Sequence, residues 1–405
     1  MTGTTGAKVI SRLHFRIAIA GSAALVLCGV MTGCSETIQP SQHLVVEREW
    51  LSPDLRIQPH QMIQIADGSL IVAGESSQVN AVALSKDGEL LWQYQEPHDP
   101  NIPDPRQSSF AGVAPLADGN LLFCGEKKVA NPANPQRPGF HTITTVLNAQ
   151  GTLKASNTIE PDDPSLRAEG FLECSSFEDG ALIVGRIFGP ASMPPLFWLV
   201  KVDREGKKKW ERVGNLSDEF KPPFTATNAT ASGAIFSSFS GGSDEILYFT
   251  HVSLSGQVTN THDFRCGYYL LILDAVEPSD NRSVLCAPTP NDMVVFRLTG
   301  GPQPSTSQVD LKDALHSKFI AQLGKGFELK DGSFLVFGRI PTQTGDRALI
   351  ELFDKAGHSL GFRGYDLKYP SFGVESVVSL GNNRFLALRP NLNGGGTILS
   401  WVRVQ

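Results

Sequence analysis

Four stretches decide the fold: IQIADGSLIVAGE (63–75), APLADGNLLFCGE (114–126), CSSFEDGALIVGR (174–186) and FELKDGSFLVFGR (327–339). In each, an apolar run leads into an Asp-Gly turn, and a second apolar run leads out and ends at glycine. Asp-Gly supplies the positive φ that a tight hairpin needs. Weaker copies are ATASGAIFSSF (229–239), DNRSVLCAP (280–288) and SLGNNRFLAL (379–388). Aligned on the second turn position, the seven fall at Gly68, Gly119, Gly180, Gly233, Arg282, Gly332 and Asn383, with spacings of 51, 61, 53, 49, 50 and 51 residues.

A second turn follows most of these hairpins, as in ALSKDGELLWQY (83–94), VLNAQGTLKAS (146–156), VKVDREGKKKWER (200–212), VSLSGQVTN (252–260) and ELFDKAGHSLGFR (351–363). Each unit therefore reads as four antiparallel strands in about 50 residues, which is the blade of a β-propeller. A two-sheet sandwich also turns every 8–12 residues, but it does not repeat a four-strand unit seven times. Val309 to Leu323 is the best helix candidate, and it is short. The seventh unit ends at TILSWVRVQ (397–405) and lacks its outer strand; HLVVEREWL (43–51) can supply it, with Trp50 in the outer-strand tryptophan position. The expected fold is all-β: a seven-bladed β-propeller over residues 44–405, closed by an N-terminal strand in the last blade, which leaves no bare sheet edge.

Trp92 lies four residues after Gly88, and Trp210 four after Gly206. This Gly-x-x-x-Trp ending resembles the pyrroloquinoline-quinone-type (PQQ-like) repeat superfamily, whose tryptophans pack between blades. Cofactor use in that family needs a vicinal cysteine pair, and no Cys-Cys dipeptide occurs here. The repeat is therefore read without a cofactor. One acylated member of the superfamily assists outer-membrane barrel assembly, with eight blades against the seven counted here.

The N-terminus supplies an address. Lys8, Arg12 and Arg16 precede an apolar stretch from Ile17 to Met31, which is too short for a comfortable membrane span and has secretory flanks. Met31-Thr32-Gly33-Cys34 then resembles a bacterial lipobox. The resemblance implies cleavage of residues 1–33 as a lipoprotein signal peptide, acylation of Cys34 (palmitate among the chains) and, with Ser35 following, passage to the outer membrane. Residues 34–43 read as a lipidated tether. Several acyl chains anchor firmly, since each buried CH₂ contributes about 0.8 kcal/mol. Loss of residues 1–33 shortens the chain from 405 to 372 residues and, with three basic residues gone, takes the net charge from −6 to −9. That balance argues against a general nucleic-acid binder.

Cys124, Cys174, Cys266 and Cys286 remain in an oxidising compartment, where disulfides are expected. The favoured pairs are 266–286 and 124–174; the alternative is buried thiols acting as small apolar residues. No zinc-type spacing, hydrolase elbow or phosphate loop occurs, so no catalytic, metal or cofactor residues are assigned. The mouth of the central channel, where inner strands start, is the expected binding region. Counting seven residues back from the first turn residue of each hairpin aligns His60, Ala111, Leu172, Thr225, Asp274, Gly324 and Glu375 there, and with their neighbours the candidates are His60, Arg167, Glu169, Arg265, Tyr268, Lys325 and Glu375. Proline-bearing connectors such as EPHDPNIPDPRQ (96–107) add stiff surface there. The expected protein is a monomeric lipoprotein on the periplasmic face of the outer membrane, held by its lipid and binding an envelope protein as a non-catalytic module or scaffold. An enzyme at the channel mouth acting on an envelope glycan, lactone or similar substrate is the alternative, and an accessory factor in outer-membrane protein assembly is a third reading.

Overall fold

A computed structural model describes residues 43–52, 55–102, 104, 106–129, 139–188, 196–214, 224–230, 233–239, 246–253, 255, 257–265, 270–275, 282–289, 292–298, 306–311, 322–340, 347–363, 374, 376–391 and 396–405. The signal segment, Cys34 and the tether up to residue 42 lie outside them, as do Cys266, Tyr268 and Glu375.

Among the described residues, 28 strands form six consecutive four-stranded meanders and a last three-stranded one that takes its fourth strand from the N-terminal side. The strand β1 (Leu44–Ser52) stands apart in sequence. Unit one is β2 (Gln58–Gln64), β3 (Leu70–Glu75), β4 (Ala81–Leu84) and β5 (Leu90–Tyr94). Unit two is β6 (Ser108–Pro115), β7 (Leu121–Val129), β8 (Gly139–Leu147) and β9 (Leu153–Ile159). Unit three is β10 (Arg167–Phe177), β11 (Gly180–Phe188), β12 (Leu196–Val202) and β13 (Lys208–Gly214), and unit four is β14 (Phe224–Thr230), β15 (Gly233–Phe239), β16 (Ile246–Ser253) and β17 (Val258–Arg265). Unit five is β18 (Leu270–Ala275), β19 (Arg282–Thr289), β20 (Asp292–Leu298) and β21 (Thr306–Leu311), and unit six is β22 (Gln322–Glu328), β23 (Phe334–Ile340), β24 (Arg347–Phe353) and β25 (Ser359–Arg363). These two units share one eight-stranded sheet through a parallel β18–β22 pair. The ends of the best helix candidate, Val309–Leu311 and Gln322–Leu323, are strand instead, because they pair with β20 and β23.

The last unit is β26 (Ser376–Gly381), β27 (Arg384–Pro390) and β28 (Thr397–Val404), and β1 pairs antiparallel with β28 from Leu44↔Val404 to Ser52↔Thr397. The N-terminal strand thus occupies the outer place of the C-terminal sheet. Inner strands adjoin in the order β18, β22, β26, β2, β6, β10, β14. Apolar layers fill the spaces between units. One joins Phe110, Phe123 and Ile143 to Ile71 and Ala83; another joins Trp198 and Ile183 to Leu122 and Val146. A sheet buried on both faces needs continuous apolar strands; β12, LFWLVKV, is buried along its whole length.

Two turn chemistries repeat. In inner turns the Asp carboxylate accepts the backbone N–H two residues on: Asp67 from Ser69 (2.8 Å), Asp118 from Asn120 (3.1 Å) and Asp331 from Ser333 (3.0 Å). In outer turns the first residue's side chain accepts two N–H groups, as Asp203 does from Glu205 and Lys207 and Asn148 from Gln150 and Thr152. Unit three departs from the alignment: its turn is Glu178-Asp179, with Glu178 at φ 50°, and Gly180 already pairs in β11.

The glycine that ends each strong motif has a steric reason. Gly74, Gly125, Gly185 and Gly338 lie opposite Pro59, Phe110, Phe171 and Leu323, and the inner strand bulges just after each of these. A Cβ on Gly74 would overlap the Gln58 carbonyl oxygen, and one on Gly125 the Ser109 carbonyl oxygen. At these two bulges the partner position therefore requires a residue without a side chain; opposite the β14 bulge, where Phe224 pairs with Ser238, a side chain is accommodated.

Units are also clasped at the outer edge. Trp92 Nε1 donates to the Ala149 carbonyl (2.8 Å), Asn157 to Glu205 (2.8 Å) and Arg212 Nε to Ser255 (2.7 Å), each a turn of the next unit. Trp92 lies on Gly151, at a distance that leaves a Cβ there only 2.6 Å. The corresponding position in β1 is Arg48, not Trp50. Outer strands bulge before Trp92 and Trp210, and β1 bulges before Arg48. Arg48 donates to the Asp87 carbonyl (3.2 Å) and lies over Trp401 at 4.9 Å, while Trp50 and Trp401 together cover Gly88.

The cysteine reading is corrected in part. Cys124 and Cys174 are buried thiols and form no disulfide with each other; the Cys174 Sγ turns to the Leu122 carbonyl (3.8 Å) within the layer between units two and three. There they act as small apolar groups. The side chain of Cys286 lies outside the described residues.

Buried charge marks the joining of the two chain ends. Arg389 on β27 is fully buried, pairs with Glu49 on β1, and donates to Ser400 on β28 (2.9 Å). Removing one partner of a buried pair costs about 3–5 kcal/mol, because the other is left uncompensated. Glu49→Ala is expected to destabilise the body by that amount in urea unfolding, and Glu49→Ala with Arg389→Met to recover most of it. Gly74→Ala is expected to cost about 3 kcal/mol or more, at the upper end of overpacking. Gly119→Ala, with open space around it but φ +80°, is expected to cost only about 1–2 kcal/mol. Equal midpoints for these two variants would remove the steric account of the motif glycine.

Candidate functional site

The mouth face is the end at which inner strands start. There the bulges fall at recurring positions: His60, Ala111, Leu172, Thr225 and Gly324 are the bulged residues of β2, β6, β10, β14 and β22. A bulge frees backbone groups and re-aims the chain. At unit two the Val113 N–H is taken by the Gln61 side chain of unit one, at 2.6 Å.

The expected ring of charge is only partly assembled. His60, Arg167 and Lys325 lie on inner strands; Arg167 is exposed and Lys325 half-buried, immediately after its bulge. Glu169 is on β10 by its backbone, its side chain being outside the described residues. Arg265 does not join them. It ends β17, the outer strand of its sheet, three strand spacings or about 14 Å from β14. Counting back from inner turns could not reveal this, because Arg265 follows an outer turn.

His60 is open to solvent yet crowded by surrounding protein. Desolvation disfavours its charged form and outweighs the pull of Glu75, so its pKa falls below the ordinary 6.5 and the imidazole is neutral at pH 7.

A cavity of about 360 Å³ opens beside it, lined by Arg56, Ile57, Gln58, Pro59, Glu75, Ser76, Ser77, Arg106, Gly396 and Thr397. It lies off the inner ring, where the start of unit one meets the connector to unit two and the start of β28. Its walls are fastened. Thr397 Oγ1 donates to the Leu55 carbonyl (2.8 Å), just ahead of Arg56. Ser76 Oγ accepts from the N–H groups of Gln78 (3.1 Å) and Val79 (2.8 Å). Arg106 follows a connector locked by buried Gln107, which donates to the carbonyls of Asp99 and Ile102 and accepts from the Asp99 N–H. The Arg106 N–H donates to Asp104 (2.8 Å) and its carbonyl accepts from Lys128 (2.8 Å), itself paired with Asp104.

Beneath this connector sits buried Glu96. It accepts from Tyr94 (3.0 Å) and Thr145 (3.1 Å) and faces Lys127 at 3.4 Å. Burial, with Glu96 beside it, pushes the Tyr94 phenol well above its ordinary range. Asn80 ties the two units by donating to the Ser108 carbonyl and accepting from the Glu96 N–H. Arg56, Glu75 and Arg106 were not among the sequence candidates. The available signal was position: Arg56 precedes His60 by four residues, and Arg106 precedes Ala111 by five.

No protein-family model matches the chain, and no curated protein matches it. Solved structures do. A prolyl endopeptidase aligns with TM-score 0.50 and 12% identity over 87% of this chain and 46% of that one, so the chain spans about half that enzyme's length. The β-propeller domain of the Trilobed protease from Pyrococcus furiosus aligns with TM-score 0.45 and 12% identity, over 88% and 94% of the two chains. XC5397 from Xanthomonas campestris, a gluconolactonase, aligns with TM-score 0.39 and 12% identity, over 91% and 95%.

Because the His60 pKa falls on folding, the unfolded chain binds more protons just below pH 6.5. The stabilising contribution of neutral His60 is complete above pH 6.5, is lost as pH falls, and levels off below the folded pKa. An NMR titration is expected to place the His60 midpoint below 6.5, and His60→Gln to flatten the slope of stability between pH 7.5 and 5. A midpoint at or above 6.5 would contradict the crowding argument. At 12% identity the likeness to the prolyl endopeptidase, with the strand order of the sheets, establishes the fold alone: the body is a β-propeller.

Proposed function

We propose that the chain is a lipoprotein of the periplasmic face of the outer membrane, whose seven-bladed propeller, closed by β1 in the last blade, is a non-catalytic binding module. The observation that carries the binding reading is the fastened cavity on the mouth face, with two arginines and a glutamate in its walls. A site held by buried polar bonds loses little entropy when it is filled. The ring reading is supported by the β1–β28 pairing and by the run of adjoining inner strands.

The anchor reading rests on Met31 to Cys34 and gains a geometric consequence. Ser52 pairs with Thr397, which lines the mouth cavity, while Leu44 lies eight residues away at the other end of β1. At about 3.3 Å per residue that is roughly 26 Å. A tether would thus join the body at the end of β1 farther from the mouth cavity. One observation favours catalysis as a second reading: His60, a neutral imidazole near Glu75, has the form of a general base.

A photo-crosslinking amino acid at Ser77, on the mouth, is expected to capture a discrete envelope protein in cells; the same group at Asp118, an exposed inner turn, is expected to capture none. Cys34→Ala is expected to lose acyl labelling and to move the body to the soluble periplasm. Adducts from Asp118 alone would place the binding face elsewhere, and unchanged membrane retention of Cys34→Ala would refute the anchor.

A further inference from the structure

Resting on the reading of the mouth as a binding face, we propose that the off-axis cavity takes a small polyhydroxylated anion, of the size of a sugar acid or sugar phosphate. The argument is chemical. At about 360 Å³ the cavity is at the small end of ligand sites, which run from about 300 to 1,000 Å³. None of its lining residues is aromatic, and only Ile57 and Pro59 are sizeable apolar groups. An apolar or flat aromatic ligand therefore has little to bury against.

Arg56 and Arg106 come from different units, one before β2 and one before β6, so their positions are set by how units one and two pack. Guanidinium groups match carboxylate and phosphate oxygens with paired N–H donors. Glu75 pairs with Gln58 across β2 and β3, and its half-buried carboxylate accepts from hydroxyls. Ser77 adds an exposed hydroxyl at the rim. An anionic group at the arginines with hydroxyls toward Glu75 uses every charged residue of the lining. A bare divalent anion meets Glu75 as a like charge, and a neutral sugar brings no charge to Arg106.

The Arg106 backbone is held by Asp104, Lys128 and the Gln107 clamp through main-chain and neighbouring groups. Truncating its side chain removes the guanidinium and leaves those bonds in place.

The test is calorimetric titration of the full lipidated chain in detergent with glucuronate, glucose 6-phosphate and glucose. At least one of the two anions is expected to bind, at least tenfold more tightly than glucose, and the tighter one identifies the acid group as carboxylate or phosphate. Arg106→Ala is expected to weaken that anion tenfold or more with an unchanged melting temperature, and Glu75→Gln to lower the preference for the hydroxylated anion over acetate or inorganic phosphate. No binding of either anion, binding equal to that of glucose, or binding untouched by Arg106→Ala would overturn the assignment. Capture of a partner at Ser77 together with absent sugar-acid binding would overturn this inference while leaving the binding module standing; loss of both would remove the two together.

Discussion

The carbonyl of Gln58 occupies the space that a side chain on Gly74 would need. That crowding is where fold and site meet. In units one and two the inner strand bulges near the mouth, and its carbonyl leaves the partner strand no room for a side chain there. The same glycine recurs at Gly125, Gly185 and Gly338, each opposite the residue before a bulge. Without the bulge His60 would continue the alternation of β2; just beyond the equivalent bulge of β6, the Val113 N–H is taken by the Gln61 side chain.

A second constraint works between units. A sheet that is apolar on both faces, as in unit two, is stable only with neighbours on both sides. Nonspecific apolar packing leaves sheets able to slide. The polar contacts at the outer edge prevent this: Trp92, Asn157, Arg212 and Arg48 each donate to a turn carbonyl of the following unit. The donors differ chemically, but their geometric task is the same, which is why tryptophan spacing revealed only some of them. The Arg48 contact, with the buried Glu49–Arg389 pair, gives the strand nearest the N-terminus the same role as any internal outer strand.

The mouth cavity follows from both constraints. It needs the start of β2, the loop after β3, the connector to β6 and the first residues of β28 at fixed positions. Three of these segments are far apart in sequence. Their arrangement is set by unit packing and by local polar anchors such as Gln107 and Ser76, not by proline alone.

Much of the architecture was legible in the residues. Asp-Gly turns at near-constant spacing specify hairpins because few residues adopt the required φ, and a recurring four-strand unit leaves few ways to bury its two apolar faces. The partnership of residues 43–51 with the last unit followed from the strand that unit lacked. Counting back from the inner turns landed on the bulges at His60, Ala111, Leu172, Thr225 and Gly324, whose meaning became visible only in the strand register; at Asp274, reached by the same count, β18 pairs in parallel with β22 and shows no bulge. What tertiary structure alone decided were relations between units: that Arg48 rather than Trp50 makes the outer contact, that Cys124 and Cys174 are thiols in one apolar layer, that Arg265 stands at an outer edge, and that Arg56, Glu75 and Arg106 share a cavity. Turn and strand preferences act within a few residues along the chain. These other outcomes depend on which side chains face each other across packed sheets, and such contacts carry no fixed spacing in sequence.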